Sequence, residues 1–418
     1  MKPTILMLPS WYPTKDNPHN GCFFREQALA MQKNFNFVVV TYICKKEIAV
    51  IYAIKQLFNL IKPKITFVQN DKGLQEYHLD IKVPQFIIWD LFIERFNLVV
   101  KKQRLPQGIG KIEHKLVQKS REKSIIYLKK KNLLPHFDCV YSLTAQDMAS
   151  LGNDFSKVYS VPHVTAEHAP FPWPGHVLAD YTVKSIENAD AFLAISNDKI
   201  RQVLLQNVKV NPIWVGNLCD ESQFKLTTEK HKIPTFLIVA ANSFYKNYDL
   251  FIKSMEELKR IALKDFNIII AGYNSNKGYS QNANELEKKI QTSVISENTK
   301  MIESLSRKDM PALYNSCDVF VMTSIQEGLP VSALEASMSG LPVISTRCGG
   351  VEDYVDDSMG RIVSITDYKG IANACNQFLN GEIKFDNKAI REKAISLFGK
   401  EAFVERISKV FFDVIDEK

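Results

Sequence analysis

Two series of short apolar runs, each followed by a helix-patterned stretch, constrain this chain more than any other feature. The first half holds TILMLPS, FNFVVVTY, ITFVQ, DCVYSL and AFLAIS; the second holds TFLIVAA, FNIIIAG, DVFVMTS, LPVIST and RIVSI. Runs that stay apolar instead of alternating are strands buried on both faces, and their alternation with helices marks βαβ units in parallel sheets. Two such series in 418 residues predict an α/β protein of two doubly wound domains, each large enough for its own core. The break is expected near 211–224, NPIWVGNLCDESQF, ahead of a polar stretch and a new first strand. The final KEAFVERISKVFFDVIDEK reads as an amphipathic helix.

Within the second series, residues 324–340 read SIQEGLPVSALEASMSG. CDVFVMTS before it is a buried parallel strand, Pro330 suits the first position of a helix, and Gly340 supplies its stop. The unit is strand, loop, helix, strand. Free backbone N–H groups near Val331 and Ser332 at the helix start are donors for an anion. Glu335 lies about one turn further on, and Glu327 sits in the loop with seven residues between the two. A carboxylate repels phosphate but accepts from sugar hydroxyls. One arrangement satisfies both facts: a diphosphate on the helix N-terminus, Glu335 on a ribose, Glu327 facing the group beyond the phosphates. Two glutamates near a helix start also complement its dipole without any ligand.

EGLPVSALE resembles the E-x7-E motif of retaining glycosyltransferases of the GT-B fold, most closely family 4, the glycosyl transferases group 1. The flanking CDVFVMTS and SGLPVISTRCGGVEDYV, with Gly328 and the Gly349–Gly350 pair, share that resemblance. It implies two Rossmann-like domains facing a central cleft: an acceptor-binding domain over 1–210, a nucleotide-sugar-binding domain over 211–395, and a helix over 396–418 crossing back to the first. It also implies metal-independent transfer of a sugar from a nucleotide diphosphate sugar, with retention of anomeric configuration and no cofactor. A UDP-sugar is favoured over a GDP-sugar. The acceptor is a glycan or a lipid-linked sugar, as in cell-surface polysaccharide or glycoconjugate synthesis.

The same resemblance places the site residues. Glu327 holds the sugar hydroxyls and Glu335 the ribose, and the loop and helix start Gly328, Leu329, Pro330, Val331 and Ser332 complete the nucleotide-sugar site. Gly21, in SWYPTKDNPHNGCFFREQ, matches the glycine of the loop that approaches the donor phosphates. His168, in VTAEHAP, matches the histidine whose carbonyl stabilises charge at the anomeric carbon. Ser196, in ADAFLAIS, matches a serine facing the cleft, and Asn217 a turn in which Leu218 replaces glycine. Lys246, in VAANSFYKN, matches the lysine on the diphosphate, but Ala241 stands where the family carries arginine. That loss removes a bidentate phosphate clamp. Lys246 then acts with helix amides alone, or Arg25 or Lys15 supplies a second cation. The missing arginine keeps open a GT-B-like sugar-nucleotide-binding protein without turnover; an epimerase or a phosphorylase of the same fold is the other alternative.

The rest of the chain narrows the class. Its only Gly-x-Gly, at 108–110, follows no strand, so a GxGxxG dinucleotide fingerprint is missing. Seven cysteines without CxxC spacing and eight histidines without HExxH give no metal signature and point to a reducing compartment. No signal peptide is expected in MKPTILMLPSWYP, whose apolar run is too short and broken by prolines, and no run reaches the roughly 18 apolar residues of a membrane span. A cytoplasmic chain is expected, peripheral at the inner membrane face. Residues 1–150 hold 23 Lys/Arg against 12 Asp/Glu, a net +11, and 101–131 hold eleven basic side chains against two acidic ones. With the aromatic segment 86–100, the stretch 86–131 fits an anionic membrane surface or a solvated helix face; no nucleic-acid motif is present.

Overall fold

The strands form where the sequence is apolar and β-branched, and the helices between them bury one stripe against the sheets. The computed structural model describes residues 2–14, 20–57, 61–85, 107–172, 177–226, 232–274 and 280–417. Two compact units divide the chain: Met1–Ala194 with Gln202–Ile213 and Ile407–Lys418, and Ile195–Arg201 with Trp214–Arg406.

The first series runs β1 (Thr4–Pro9), α1 (Cys22–Met31), β2 (Asn36–Ile48), α2 (Ala49–Leu57), β3 (Lys64–Asp71), β4 (Leu74–Gln85), α3 (Gln107–Lys130), β5 (Cys139–Leu143), α4 (Ala145–Tyr159), β6 (His163–Glu167), α5 (Asp180–Glu187), β7 (Ala191–Ala194), α6 (Asn197–Leu205) and β8 (Pro212–Trp214). Its eight-stranded sheet has the order β3-β4-β2-β1-β5-β6-β7-β8. ITFVQ departs from the expected parallel series. It lies in β3, which pairs antiparallel with β4. Lys72 and Gly73 both take positive φ (52° and 81°), the geometry that closes a two-residue hairpin. The amphipathic run expected at 86–100 lies outside the described residues.

The second series runs β9 (Thr235–Val239), α7 (Tyr248–Ile261), β10 (Asn267–Ala271), α8 (Ser280–Gln291), β11 (Thr299–Ile302), α9 (Met310–Asn315), β12 (Val319–Met322), α10 (Val331–Met338), β13 (Val343–Thr346), β14 (Gly360–Val363), α11 (Tyr368–Asn380), α12 (Asn387–Phe398) and α13 (Lys400–Asp416). All six strands are parallel, in the order β11-β10-β9-β12-β13-β14. The order reverses between β9 and β12. At such a switch point the loops leave neighbouring strand ends in opposite directions and open a crevice at the carboxyl edge. α10 closes one side of the core, with Ala333, Leu334, Ala336 and Met338 fully buried. A fully buried leucine contributes about 1.5–3 kcal/mol.

The chain breaks at Gly399 between α12 and α13. In the first half of α13, the Arg406 guanidinium lies over the Trp214 ring at 4.5 Å and its Nε donates to the Val215 carbonyl. In the second half, Phe411 packs on Phe35 and Tyr141 at centroid distances of 5.5 and 5.1 Å, and the Ser408 hydroxyl accepts from Asn34.

Candidate functional site

The loops at the switch point of the second unit carry Lys246 and Glu327, two of the residues expected at the donor site. The β9–α7 connection makes a short 3₁₀ turn at Phe244–Lys246, and the β12–α10 connection runs from Thr323 to Pro330. The loops are tied together through backbone. Ile325 N–H donates to the Tyr245 carbonyl at 2.8 Å and the Thr323 hydroxyl to the Lys246 carbonyl at 3.0 Å. Lys246 Nζ then meets Glu327 Oε1 at 2.6 Å. Both side chains keep some exposure (28% and 14%), so the pair remains open to an incoming ligand.

A second set of contacts fixes Glu327 and Gly328 from the other side. Glu327 N–H donates to the Cys348 carbonyl at 2.7 Å, and the Thr346 hydroxyl donates to the Ser324 carbonyl at 2.6 Å. The glycine pair explains itself here. A Cβ on Gly350 would lie 2.3 Å from the Gly328 carbonyl oxygen, and one on Gly349 2.9 Å from that of Glu327, while both residues take positive φ. Only glycine lets this turn press onto the loop.

α10 starts one residue later than expected: Pro330 is its N-cap, extended at φ −70° and ψ 114°, and Val331 is the first helical residue. Proline's fixed φ serves either position, so the shift leaves the first-turn amides of Val331 and Ser332 at the helix start. Leu329 and Pro330 are buried beneath them, while Val331 and Ser332 are half-buried. Glu335, one turn on, is 3% exposed and does not stand alone. Tyr314 donates its hydroxyl to Oε2 at 2.8 Å, and the Arg307 guanidinium bonds Oε1. Burial, together with the Glu335 charge beside it, raises the Tyr314 phenol well above its ordinary pKa, so it remains a donor. Arg307 also stacks over Phe224 at 5.3 Å. Sequence reasoning missed both partners. The only signal was an arginine and a tyrosine in SLSRKDMPALY, a segment with no motif of its own.

Ser196 sits in the second compact unit and is 1% exposed. Its hydroxyl donates to the Gly328 carbonyl at 2.9 Å and accepts from Lys199 N–H at 3.0 Å. It therefore caps the start of α6 and positions the glycine of the loop. Asn217 is buried, its side-chain oxygen accepting from Leu218 N–H.

The residues expected from the first unit gather at the start of α1 and the end of β6. Gly21 caps α1 at φ 65°, and a Cβ there would lie 2.5 Å from the Trp11 carbonyl oxygen. The reason for glycine here is thus the chain's own close packing on Trp11. His168 follows β6 half-buried, with its ring edge-on to Phe24 at 4.8 Å and Nε2 3.4 Å from Gln27 Nε2. Glu167 is fully buried and accepts from the backbone N–H of Gln146 (3.1 Å) and Ala169 (2.7 Å). Its carboxylate holds the turn that carries His168. Arg25, weighed as a second phosphate cation, is paired with the buried Glu76 at 3.0 Å, which also accepts from Tyr12 and Gln69. Lys15 lies outside the described residues. No cluster of metal-ligating side chains occurs among the described residues.

Residues 220–395 match the family described as Glycosyl transferases group 1, so the second unit carries a domain of that kind. The chain is 28% identical over 114 residues (27% of this chain, 30% of the relative) to the UDP-Gal:alpha-D-GlcNAc-diphosphoundecaprenol alpha-1,3-galactosyltransferase of Escherichia coli. It is 24% identical over 233 residues (54% of this chain, 61% of the relative) to an uncharacterized glycosyltransferase of Methanocaldococcus jannaschii. The matched stretches thus span between 30% and 61% of these relatives' lengths. Among solved structures, sucrose-phosphate synthase of Thermosynechococcus elongatus superposes with a TM-score of 0.71 at 14% identity over the whole of both chains. Anabaena HepE, solved with UDP and glucose, does so with 0.66 at 14% identity, covering 98% of this chain and 100% of that one. The fold is GT-B, as the sequence predicts.

Proposed function

We propose that this GT-B protein is a retaining, metal-independent glycosyltransferase of family 4 that takes its sugar from a nucleotide diphosphate sugar. The observation that carries the reading is the Lys246–Glu327 pair, held at the switch point beside the N-terminus of α10. A cation and helix amides favour a diphosphate; a half-open carboxylate favours sugar hydroxyls. Lys246 and the amides of Val331 and Ser332 hold the diphosphate and stabilise the charge it gains on leaving. Glu327 takes the sugar hydroxyls. Glu335, oriented by Arg307 and Tyr314, accepts from the ribose. Gly328, Leu329 and Pro330, with Ser196 behind them, fix the loop between these groups. His168 and Gly21 are assigned to the sugar and phosphates by the resemblance alone.

UDP is favoured as the nucleotide, supported by the galactosyltransferase relative's UDP-sugar and by the UDP in the HepE structure. A peripheral place at an anionic membrane is supported by the net +11 of residues 1–150, and a glycan or lipid-linked acceptor by the diphosphoundecaprenol-linked acceptor in the galactosyltransferase relative's name. Among the described residues no helix is long and apolar enough to cross a membrane. The test is turnover with a panel of nucleotide sugars, followed by the NMR coupling constant of the first product. An α-linked donor is expected to give an α-linked product, and a β-linked product refutes retention.

Ala241, in the family's arginine position, favours a second reading as a nucleotide-sugar-binding protein without turnover. Tight binding with no transfer and no slow hydrolysis of any bound donor would establish it.

A further inference from the structure

The first unit holds a cavity, lined by none of the site residues discussed above, that the glycosyl-transfer reading does not use. It lies between α2 and α3 and encloses about 340 Å³. Its floor is fixed by internal hydrogen bonds. Tyr52 donates to the Ser120 hydroxyl at 2.7 Å, Ser120 to the Leu116 carbonyl at 2.8 Å, and Ser124 to the Ser120 carbonyl at 2.9 Å. With those hydrogens committed, the floor holds the two helices at a set spacing and leaves recognition to the rim.

The rim is cationic. Lys62, Lys123 and Lys130 line it, no carboxylate does, and none of the three has an ion-pair partner among the described residues. Other cations of this unit meet carboxylates: Lys45 pairs with Asp80, Lys55 with Glu47, Lys157 with Glu122, and the buried Arg121 with Asp154. Three ammonium groups left unpaired around one concavity repel each other unless an anion joins them. Tyr127 and Gln56 add further donors at the same wall. This is the chemistry that binds a phosphate.

The surroundings are apolar. Ile61, Pro63 and Ile126 complete the lining, with Ile126 40% exposed. α2 turns Tyr52 and Gln56 to the cavity and leaves Val50 (68%), Ile51 (42%) and Ile54 (51%) bare on its other side. A short helix with an uncovered apolar stripe beside lysines has the make-up of an interfacial segment.

We propose that the α2–α3 cavity binds the phosphate headgroup of a membrane lipid, with the bare face of α2 entering the apolar layer. The proposal deepens the membrane reading above and rests on it, but it replaces a diffuse basic surface by one site with three named ligands.

The full chain is titrated calorimetrically with dihexanoyl phosphatidic acid below its micelle concentration, and with glycerol 3-phosphate as the headgroup alone. Two triple variants lose the same charge. Lys62→Gln/Lys123→Gln/Lys130→Gln empties the rim, while Lys115→Gln/Lys119→Gln/Lys131→Gln removes exposed lysines that do not line it. Wild type is expected to bind the phosphatidic acid saturably, and glycerol 3-phosphate at least about tenfold more weakly, the equivalent of burying two methylenes. The rim variant is expected to lose about a hundredfold in affinity, at roughly a factor of five per lysine. The off-rim variant stays within about threefold, because exposed charges away from the ligand are screened. Retained affinity in the rim variant overturns the site, as does equal binding of the two ligands. Equal losses in both triples overturn the site while leaving the diffuse basic surface standing, and co-sedimentation with phosphatidylglycerol vesicles then continues in wild type. No binding of wild type to the short lipid or to the vesicles defeats both readings.

Discussion

Glu335→Gln separates a ribose ligand from a merely structural carboxylate. The substitution keeps the side-chain shape and removes the charge from a group that is 3% exposed and bonded to Tyr314 and Arg307. Hydrogen bonds to charged groups contribute about 1.5–3 kcal/mol and neutral ones about 0.5–1.5, so each bond to Glu335 weakens by about 1–1.5 kcal/mol. The Arg307 side chain is 28% exposed and regains water, which reduces its share. The net loss of stability is then about 1–2 kcal/mol, or a fall in Tm of roughly 2–8 °C for a unit of this size. A ribose bonded to the same carboxylate loses a similar increment, and nucleotide affinity falls about five- to tenfold. Tyr314→Phe is the control. It deletes one bond to Glu335 from behind, leaves the charge and the Arg307 bond, and is expected to cost about 1–2 kcal/mol of stability with little change in nucleotide affinity. Calorimetric titration with UDP and GDP, alongside thermal unfolding, reads both quantities. Unchanged affinity in Glu335→Gln refutes the ribose role. So does an equal loss in Tyr314→Phe, which would mean that affinity follows the packing of α9 on α10.

Other perturbations test other parts of the same structure. Glu327→Gln is expected to leave free nucleotide binding within about threefold of wild type, while turnover falls by one to three orders of magnitude, roughly the range for a lost transition-state contact; equal loss of nucleotide affinity would refute the sugar role. Full turnover in excess EDTA is expected, because Lys246 and the α10 amides supply the counter-charge; loss on chelation, restored by magnesium or manganese, would overturn that account. Gly350→Ala puts a Cβ 2.3 Å from the Gly328 carbonyl at φ 72° and is expected to destabilise the second unit by more than about 2 kcal/mol, read by urea unfolding. Burial pushes the Asp154 carboxyl up to about 6 against the pull of Arg121. The folded state therefore binds more protons than the unfolded one between pH 4 and 6, so this group's contribution to stability falls as pH rises through that window. Asp154→Asn is expected to flatten that part of the Tm–pH curve; an unchanged curve would place the titration elsewhere.

Much of the architecture was legible because it depends on local pattern. Uninterrupted apolar runs such as NIIIA and VFVM suit strands buried on both faces, and their alternation with helices points to a doubly wound parallel sheet. The β3–β4 hairpin escaped because its turn signal is a single Asp-Lys-Gly, and a positive φ at Lys72 is not written in composition. The boundary of α10 moved by one residue because proline suits both the N-cap and the position after it.

The site divides in the same way. The α10 N-terminus with Gly328 could be read from local pattern, because a strand end, a proline and a glycine fix where backbone donors lie, whereas Lys246 and the role of Glu327 came from the motif resemblance. The sequence alone determined that an anion-friendly helix start follows a buried strand and that two carboxylates flank it. Tertiary structure decided what those carboxylates touch. Lys246 and Glu327 are 81 residues apart and meet only because β9 and β12 are neighbours across the switch point. Arg307 and Tyr314 reach Glu335 only because α9 packs beside α10. Ser196, 132 residues from Gly328, turned out to hold its carbonyl from within the same compact unit. Local pattern dictates where a backbone turns and which face is apolar. The partner of a charged side chain is chosen by strand order and helix packing, which no short stretch of sequence contains.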